Sequence, residues 1–186
     1  MDIQISAFPR RQTPTMPIVV TRRGPARHFG TIRSPELGSA PCALARSGIL
    51  SQKREGDGGT PRGAWRMRCV YYRPDRVLAP RTALPVHPIT PSLGWCDERG
   101  HPAYNQPVER PFAFSHEAMA REDHLYDLCV VLGHNDAPAV SGQGSAIFLH
   151  LASPEFGPTE GCVAVREPYL RRLLEQADGH TVLRIF

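Results

Sequence analysis

At 186 residues the chain accommodates one domain with its own core and excludes two full domains joined by a linker. Hydrophobic residues make up 41% and charged residues 22%, while 19 prolines and 16 glycines argue against long helices and for short strands with many turns. The net charge of +4 is an arginine excess, because Lys53 is the only lysine; it suits an anionic polymer, nucleic acid or cell wall, without choosing between them.

Residues 1–16 are polar, proline-containing and unperiodic, and are expected to form a flexible N-terminal arm ahead of a single domain over 17–186. Arg10 and Arg11 precede only the short apolar stretch Pro17-Ile18-Val19-Val20, too little for a signal peptide, and no apolar run is long enough to cross a bilayer. Ile18 to Thr21 and Phe29 to Ile32 read as two strands around the turn Arg23-Gly24-Pro25. A third strand is expected over 40–47, and a fourth over 64–72 after the glycine-rich turn Gly56-Asp57-Gly58-Gly59-Thr60-Pro61-Arg62-Gly63.

Residues 73–113 hold seven or more prolines and no usable period, which predicts a long surface excursion. Within it, Trp95 and Tyr104 either line a cleft or anchor the loop on the core. Ser115 to Asp123 reads as a short helix with Ser115 as N-cap. The apolar runs 126–133 and 145–150 have the length of buried strands, with His134-Asn135-Asp136 after the first as a cleft edge or a turn. Leu170, Leu173, Leu174 and Ala177 share one face of a helix over 168–177, stopped at Gly179, and 181–186 is a last strand. The tally is mostly β with one or two short helices.

The five cysteines lie about thirty residues apart with no C-x-x-C pair, against the close spacing of a zinc ribbon or redox pair. His116-Glu117 and His124 lack the His pair at i, i+4 of a zincin, so neither metal nor cofactor is expected. Cys162 has a different setting. Gly161 lets the backbone approach a substrate closely, so that N–H groups around residues 160–162 can serve a developing oxyanion, and a thiol needs a base to become a nucleophile. His150 ends an apolar strand, and the eleven residues before Cys162 are enough for the chain to fold back toward it.

His150, a loop and then Thr159-x-Gly161-Cys162-Val163 resemble the signature of the YkuD-type L,D-transpeptidases, and the segment from Lys53 to Gly63 looks like that family's glycine-rich stretch ending in Thr-Pro-x-Gly. The resemblance spans 17–186. It implies a β-sandwich catalytic fold with a short helix, acylation of Cys162 by a peptidoglycan stem peptide with loss of the terminal residue, and transfer to an amine acceptor. It also implies His150 as the proton carrier, oriented by the Leu151 carbonyl, and Thr159 as a residue fixing the turn. Periplasm or cell envelope, with stem peptides and not nucleic acid as partner, is the expectation that follows. Three departures stand out. The loop from His150 to Thr159 is short, Glu160 stands where the family often has His or Lys, and Ala164 where it often has Arg. A carboxylate at Glu160 disfavours a thiolate, and Arg166 is the candidate replacement for the missing cation. Trp95, Tyr104, His134, Asn135 and Arg166 are the candidate substrate contacts. The competing readings are hydrolysis of the same acyl-enzyme, a non-catalytic wall-binding module, and a nucleic-acid binder resting on the arginine excess alone.

Overall fold

The computed structural model of the protein describes residues 17–186, so the expected arm over 1–16 lies outside the described residues. β1 (Ile18–Arg22) and β2 (Phe29–Ser34) form the expected antiparallel hairpin, and Gly24 in its turn has a φ of 71°, a conformation that favours glycine. β3 (Gly38–Ala43) pairs with β2 and leaves the sheet earlier than expected. Residues 45–47 find backbone partners elsewhere, Arg46 N–H on Thr159 O at 3.1 Å and Ser47 N–H on Gly58 O at 2.8 Å. β4 (Ile49–Leu50) and β5 (Thr60–Pro61) form a small parallel pair, followed by the long β6 (Gly63–Tyr72).

The stretch 73–113 is not free of sheet. It contains β7 (Val86–Pro88), β8 (Leu93–Cys96) and β9 (Pro107–Glu109), and β8 lies at the centre of a separate three-stranded sheet with β9 and β10 (His116–Ala118). β10 occupies the segment expected to be a helix. Its local helix preference yields to cross-strand pairing, His116 opposite Cys96 and Ala118 opposite Gly94. Then come β11 (Leu128–Leu132), β12 (Phe148–Leu151), β13 (Val163–Val165), α1 (Glu167–Leu174) and β14 (Val182–Ile185). α1 is the only α-helix among the described residues, with Pro168 in its first turn, where a missing N–H costs nothing, and Leu170, Leu173 and Leu174 buried.

The main sheet runs β11-β12-β13-β3-β2-β1-β14-β6-β7, and β11 also pairs with β6. The sheet therefore closes on itself through eight strands, with β7 attached outside. Its interior is filled by Val20, Ile32, Val70, Leu149, Val163 and Leu183, plugged by the leucines of α1. Each such side chain contributes about 2 kcal/mol of burial. β11 is buried on both faces, which explains its unbroken apolar sequence. Leu128, Val130 and Leu132 join that interior, while Cys129 and Val131 face a second cluster with Trp95, Met119, Tyr126, Phe148 and Cys162. The three-stranded sheet contributes Trp95 to this second cluster, whose other side borders the site.

Candidate active site

β12 and β13 are parallel neighbours, with Leu149 opposite Val163 and His150 opposite Ala164. Cys162 is the residue just before β13, level with Phe148, so His150 stands two residues further along the neighbouring strand, and both side chains line one cavity. Both are buried, at 4% and 6% exposure. The His150 Nδ1–H donates to Leu151 O at 2.8 Å, since a carbonyl only accepts, and this leaves the Nε2 lone pair free to take a proton. Cys162 Sγ accepts the Phe148 N–H at 3.3 Å and donates to Ala146 O at 3.3 Å.

The turn is held through the Cys162 carbonyl, which accepts from Thr159 Oγ1 at 2.8 Å and Thr60 Oγ1 at 3.2 Å. Thr60 in turn accepts the Ala45 N–H at 2.9 Å, so the Thr-Pro-x-Gly segment and the cysteine turn are one construction. A Cβ on Gly161 would stand 2.8 Å from Ile147 Cδ1, so a side chain there displaces the packing under the thiol. Thr60→Val removes an acceptor and a donor from fully buried surroundings. It is expected to destabilise the protein by about 2 kcal/mol in urea titration and to slow Cys162 chemistry by loosening the turn.

Cys162 and His150 line one cavity of about 360 Å³. Burial pushes the Cys162 thiol up to about 12; Glu117 adds to this, while the Phe148 N–H, Lys53 and Arg121 oppose it. Burial lowers His150 to about 4 against the pull of the Leu151 carbonyl. At neutral pH the pair is therefore a neutral thiol beside a neutral imidazole, not a thiolate beside an imidazolium. Ultraviolet difference spectra between the wild type and Cys162→Ser are expected to show no thiolate band at neutral pH. A band that titrates in below neutrality would contradict this charge state.

Arg121 makes hydrogen-bonded ion pairs with Glu117 at 2.5 Å and, through Nε, with Asp123 at 2.9 Å. Its guanidinium lies 5.0 Å over the Tyr126 ring, and Tyr126 packs edge-on against His150 at 5.2 Å. This stack limits the swing of the imidazole. Arg121 belongs to the segment expected to be a helix, and Tyr126 opens the run 126–133, expected as a buried strand whose pattern does not show that its first ring packs against His150. Lys53 also lines the cavity, and its signal was visible: a single lysine where the chain otherwise uses arginine.

The other candidates are distributed differently. Glu160 lines the cavity mouth, but its carboxylate is exposed and ion-paired with Arg46, and the carboxylate that acts on the thiol is Glu117. Arg166 is not on the cavity wall; it caps α1, donates to Pro154 O at 2.6 Å and stacks 4.7 Å over Phe156, bracing the short loop. The cavity's cations are Lys53 and Arg121 instead. Trp95 is buried behind the site, edge-on to Phe148 at 5.1 Å, with its Nε1–H on Asn105 Oδ1 at 2.9 Å. Tyr104 is buried as well, its hydroxyl donating to Glu55 and accepting the Gly144 N–H at 3.1 Å. Both are anchors beneath the site and not walls of the cavity. His134 lines a neighbouring groove with Lys53, its Nε2–H on Gln143 O at 2.9 Å. Asn135, at a φ of 50°, bonds Val140 and Gly144 and serves the turn. Asn105, beside Tyr104, ties the walls together: its side-chain amide bonds Trp95, the Ala146 N–H and the carbonyls of His134 and Asn135.

Among the described residues no group of three His, Cys, Asp or Glu side chains is arranged to hold a metal, and no helix is long and apolar enough to cross a membrane. Comparison with curated proteins and with solved structures finds no match. The model of the L,D-transpeptidase catalytic domain, YkuD, matches residues 11–185, and that family acts on peptidoglycan peptides. With nearly the whole chain covered, the protein belongs to the YkuD family of L,D-transpeptidase catalytic domains.

Proposed function

We propose that the protein is a cysteine acyltransferase of the cell envelope or periplasm that forms a thioester with a peptidoglycan stem peptide and passes it to an amine, making a cross-link. One observation carries the reading: Cys162 and His150 share a cavity, and the Leu151 carbonyl holds His150 in the tautomer whose Nε2 accepts a proton. In the first half-reaction Sγ attacks the peptide carbonyl while its proton passes to His150 Nε2. N–H groups of the 160–162 turn stabilise the oxyanion. The C–N bond then breaks as His150 returns the proton to the leaving nitrogen. In the second half an acceptor amine attacks the thioester carbonyl, gives up a proton through His150, and expels the Cys162 sulfur.

Because both groups are neutral at rest, charge separates only in the reaction, inside the cavity the two side chains share. Incubation with purified muropeptides followed by mass spectrometry tests the reading. Cross-linked products that depend on Cys162 support it, and released residues without cross-links would replace transfer by hydrolysis. Muropeptides left unchanged, with no mass added to Cys162, would overturn it.

A further inference from the structure

Asp97, the residue just after β8, lines the cavity that holds Cys162 and His150. The residue is half-buried, and its Oδ1 is shielded from solvent with no hydrogen-bond donor among the described residues. Burying a carboxylate oxygen without a donor is costly, and such groups are normally paired. The backbone on either side is fixed. The Cys96 N–H bonds Gln106 O at 2.9 Å, Cys96 O accepts the Asn105 N–H at 2.8 Å, and the Asp97 N–H bonds Ser115 O at 3.3 Å. The unpaired carboxylate is therefore carried by an anchored stretch of chain and not by a loose loop.

The cations of the same wall do not answer it. Lys53 is engaged by Asp57 at 2.5 Å and Arg54 O at 2.8 Å, and Arg121 by Glu117 at 2.5 Å and Asp123 at 2.9 Å. The other carboxylates of the wall have partners: Glu160 in Arg46, Glu117 in Arg121, and Glu55 in the hydroxyls of Tyr104 and Ser145. In a chain of net charge +4, the charge left open in the nucleophile's cavity is negative.

We propose that Asp97 determines specificity in the second half-reaction by taking the ammonium of the acyl acceptor as it enters the cavity. The inference rests on the acyl-transfer reading. The thioester is uncharged and held covalently, so it needs no counter-charge to stay in place. The acceptor arrives from solution, where an alkylamine is an ammonium at neutral pH. A half-buried carboxylate without a partner attracts that cation and has no such hold on water or on a neutral amine. The docked ammonium gives one proton to solvent to become the nucleophile. The N–C bond then forms as the C–S bond breaks, and the second proton passes through His150 to the departing sulfur. Asp97 thereby biases the thioester toward amines and away from hydrolysis.

The test is inhibition of cross-linking by two blocked forms of an acceptor stem peptide with one free amine, in the wild type, Asp97→Asn and Asp97→Glu. N,N-Dimethylation keeps the nitrogen a cation but prevents it from forming an amide, and N-acetylation makes it neutral. A charge-assisted hydrogen bond predicts that the dimethyl form inhibits the wild type about ten- to hundredfold more strongly than the acetyl form. Asp97→Asn is expected to erase the difference, by weakening the dimethyl form and not the acetyl form, and to raise KM for the acceptor amine more than it lowers kcat. Asp97→Glu is expected to keep part of the difference. Equal inhibition of the wild type by the two forms, or a difference that survives in Asp97→Asn, would overturn the inference while leaving acyl transfer intact. If the wild type forms no cross-link with any muropeptide, acyl transfer itself fails and this inference falls with it. The wild-type comparison decides even if Asp97→Asn does not fold.

Discussion

Cys162→Ala is expected to abolish cross-linking of muropeptides, with no adduct on the protein by intact mass. No other thiol can substitute. Cys42, Cys96 and Cys129 are buried, burial pushes Cys42 up to about 12 and Cys69 up to about 11, and His150 adjoins the cavity of Cys162. The alanine variant also leaves the buried Phe148 N–H without its acceptor, so it is expected to lose about 1–2 kcal/mol of stability. Cys162→Ser separates the two effects. Its oxygen keeps an acceptor near Phe148, so stability is retained, yet a hydroxyl is a far poorer nucleophile for a neutral imidazole to activate. Muropeptide mass spectrometry with thermal unfolding on both variants is the measurement. A serine variant that cross-links at the wild-type rate would remove the thiol from the chemistry.

His150→Gln is expected to slow acylation by roughly a hundred- to ten-thousandfold, the range for a positioned general base. The pH dependence carries the diagnostic. His150 is held low, at about 4, so in the wild type the base is unprotonated across the neutral range and acylation falls only in acid, as the imidazole takes up a proton and can no longer receive one. Without His150 that acid limb disappears. The residual rate should instead climb with pH throughout, following the small thiolate fraction of a thiol raised to about 12. Pre-steady-state acylation across pH distinguishes the two shapes, and an unchanged acid limb in His150→Gln would assign it to another group.

The turn around Cys162 was more readily legible in the sequence than its surroundings. Thr159, Gly161 and Cys162 were legible because a turn that presents a peptide carbonyl to two threonines and excludes a Cβ demands particular residues at fixed spacing. The double-sided burial of β11 was legible from its unbroken apolar run. What escaped was long-range. Nothing local in Ser115 to Asp123 distinguishes a helix from a strand; the outcome depends on β8, some twenty residues upstream. With β10 expected as a helix, Glu117 and Arg121 dropped out of the candidate site. Trp95 and Tyr104 were recognised as important, yet whether an aromatic ring faces a cavity or backs onto it is set by which side of the sheet it covers. Arg166 was chosen by its position after Cys162, whereas Lys53 reaches the cavity from more than a hundred residues away in the chain.

The parallel pairing of β12 with β13 has a consequence for how such an enzyme diversifies. The spacing between His150 and Cys162 is written in the register of the two strands, Leu149 opposite Val163 and His150 opposite Ala164, and not in the connection that joins them. Residues 152–158 can therefore be cut, lengthened or rewritten while the reacting atoms stay where they are. The placing of these two side chains and the shape of the cavity entrance become separately heritable, and a short connection such as this one, pinned by Arg166 across Phe156, alters the entrance and not that placing.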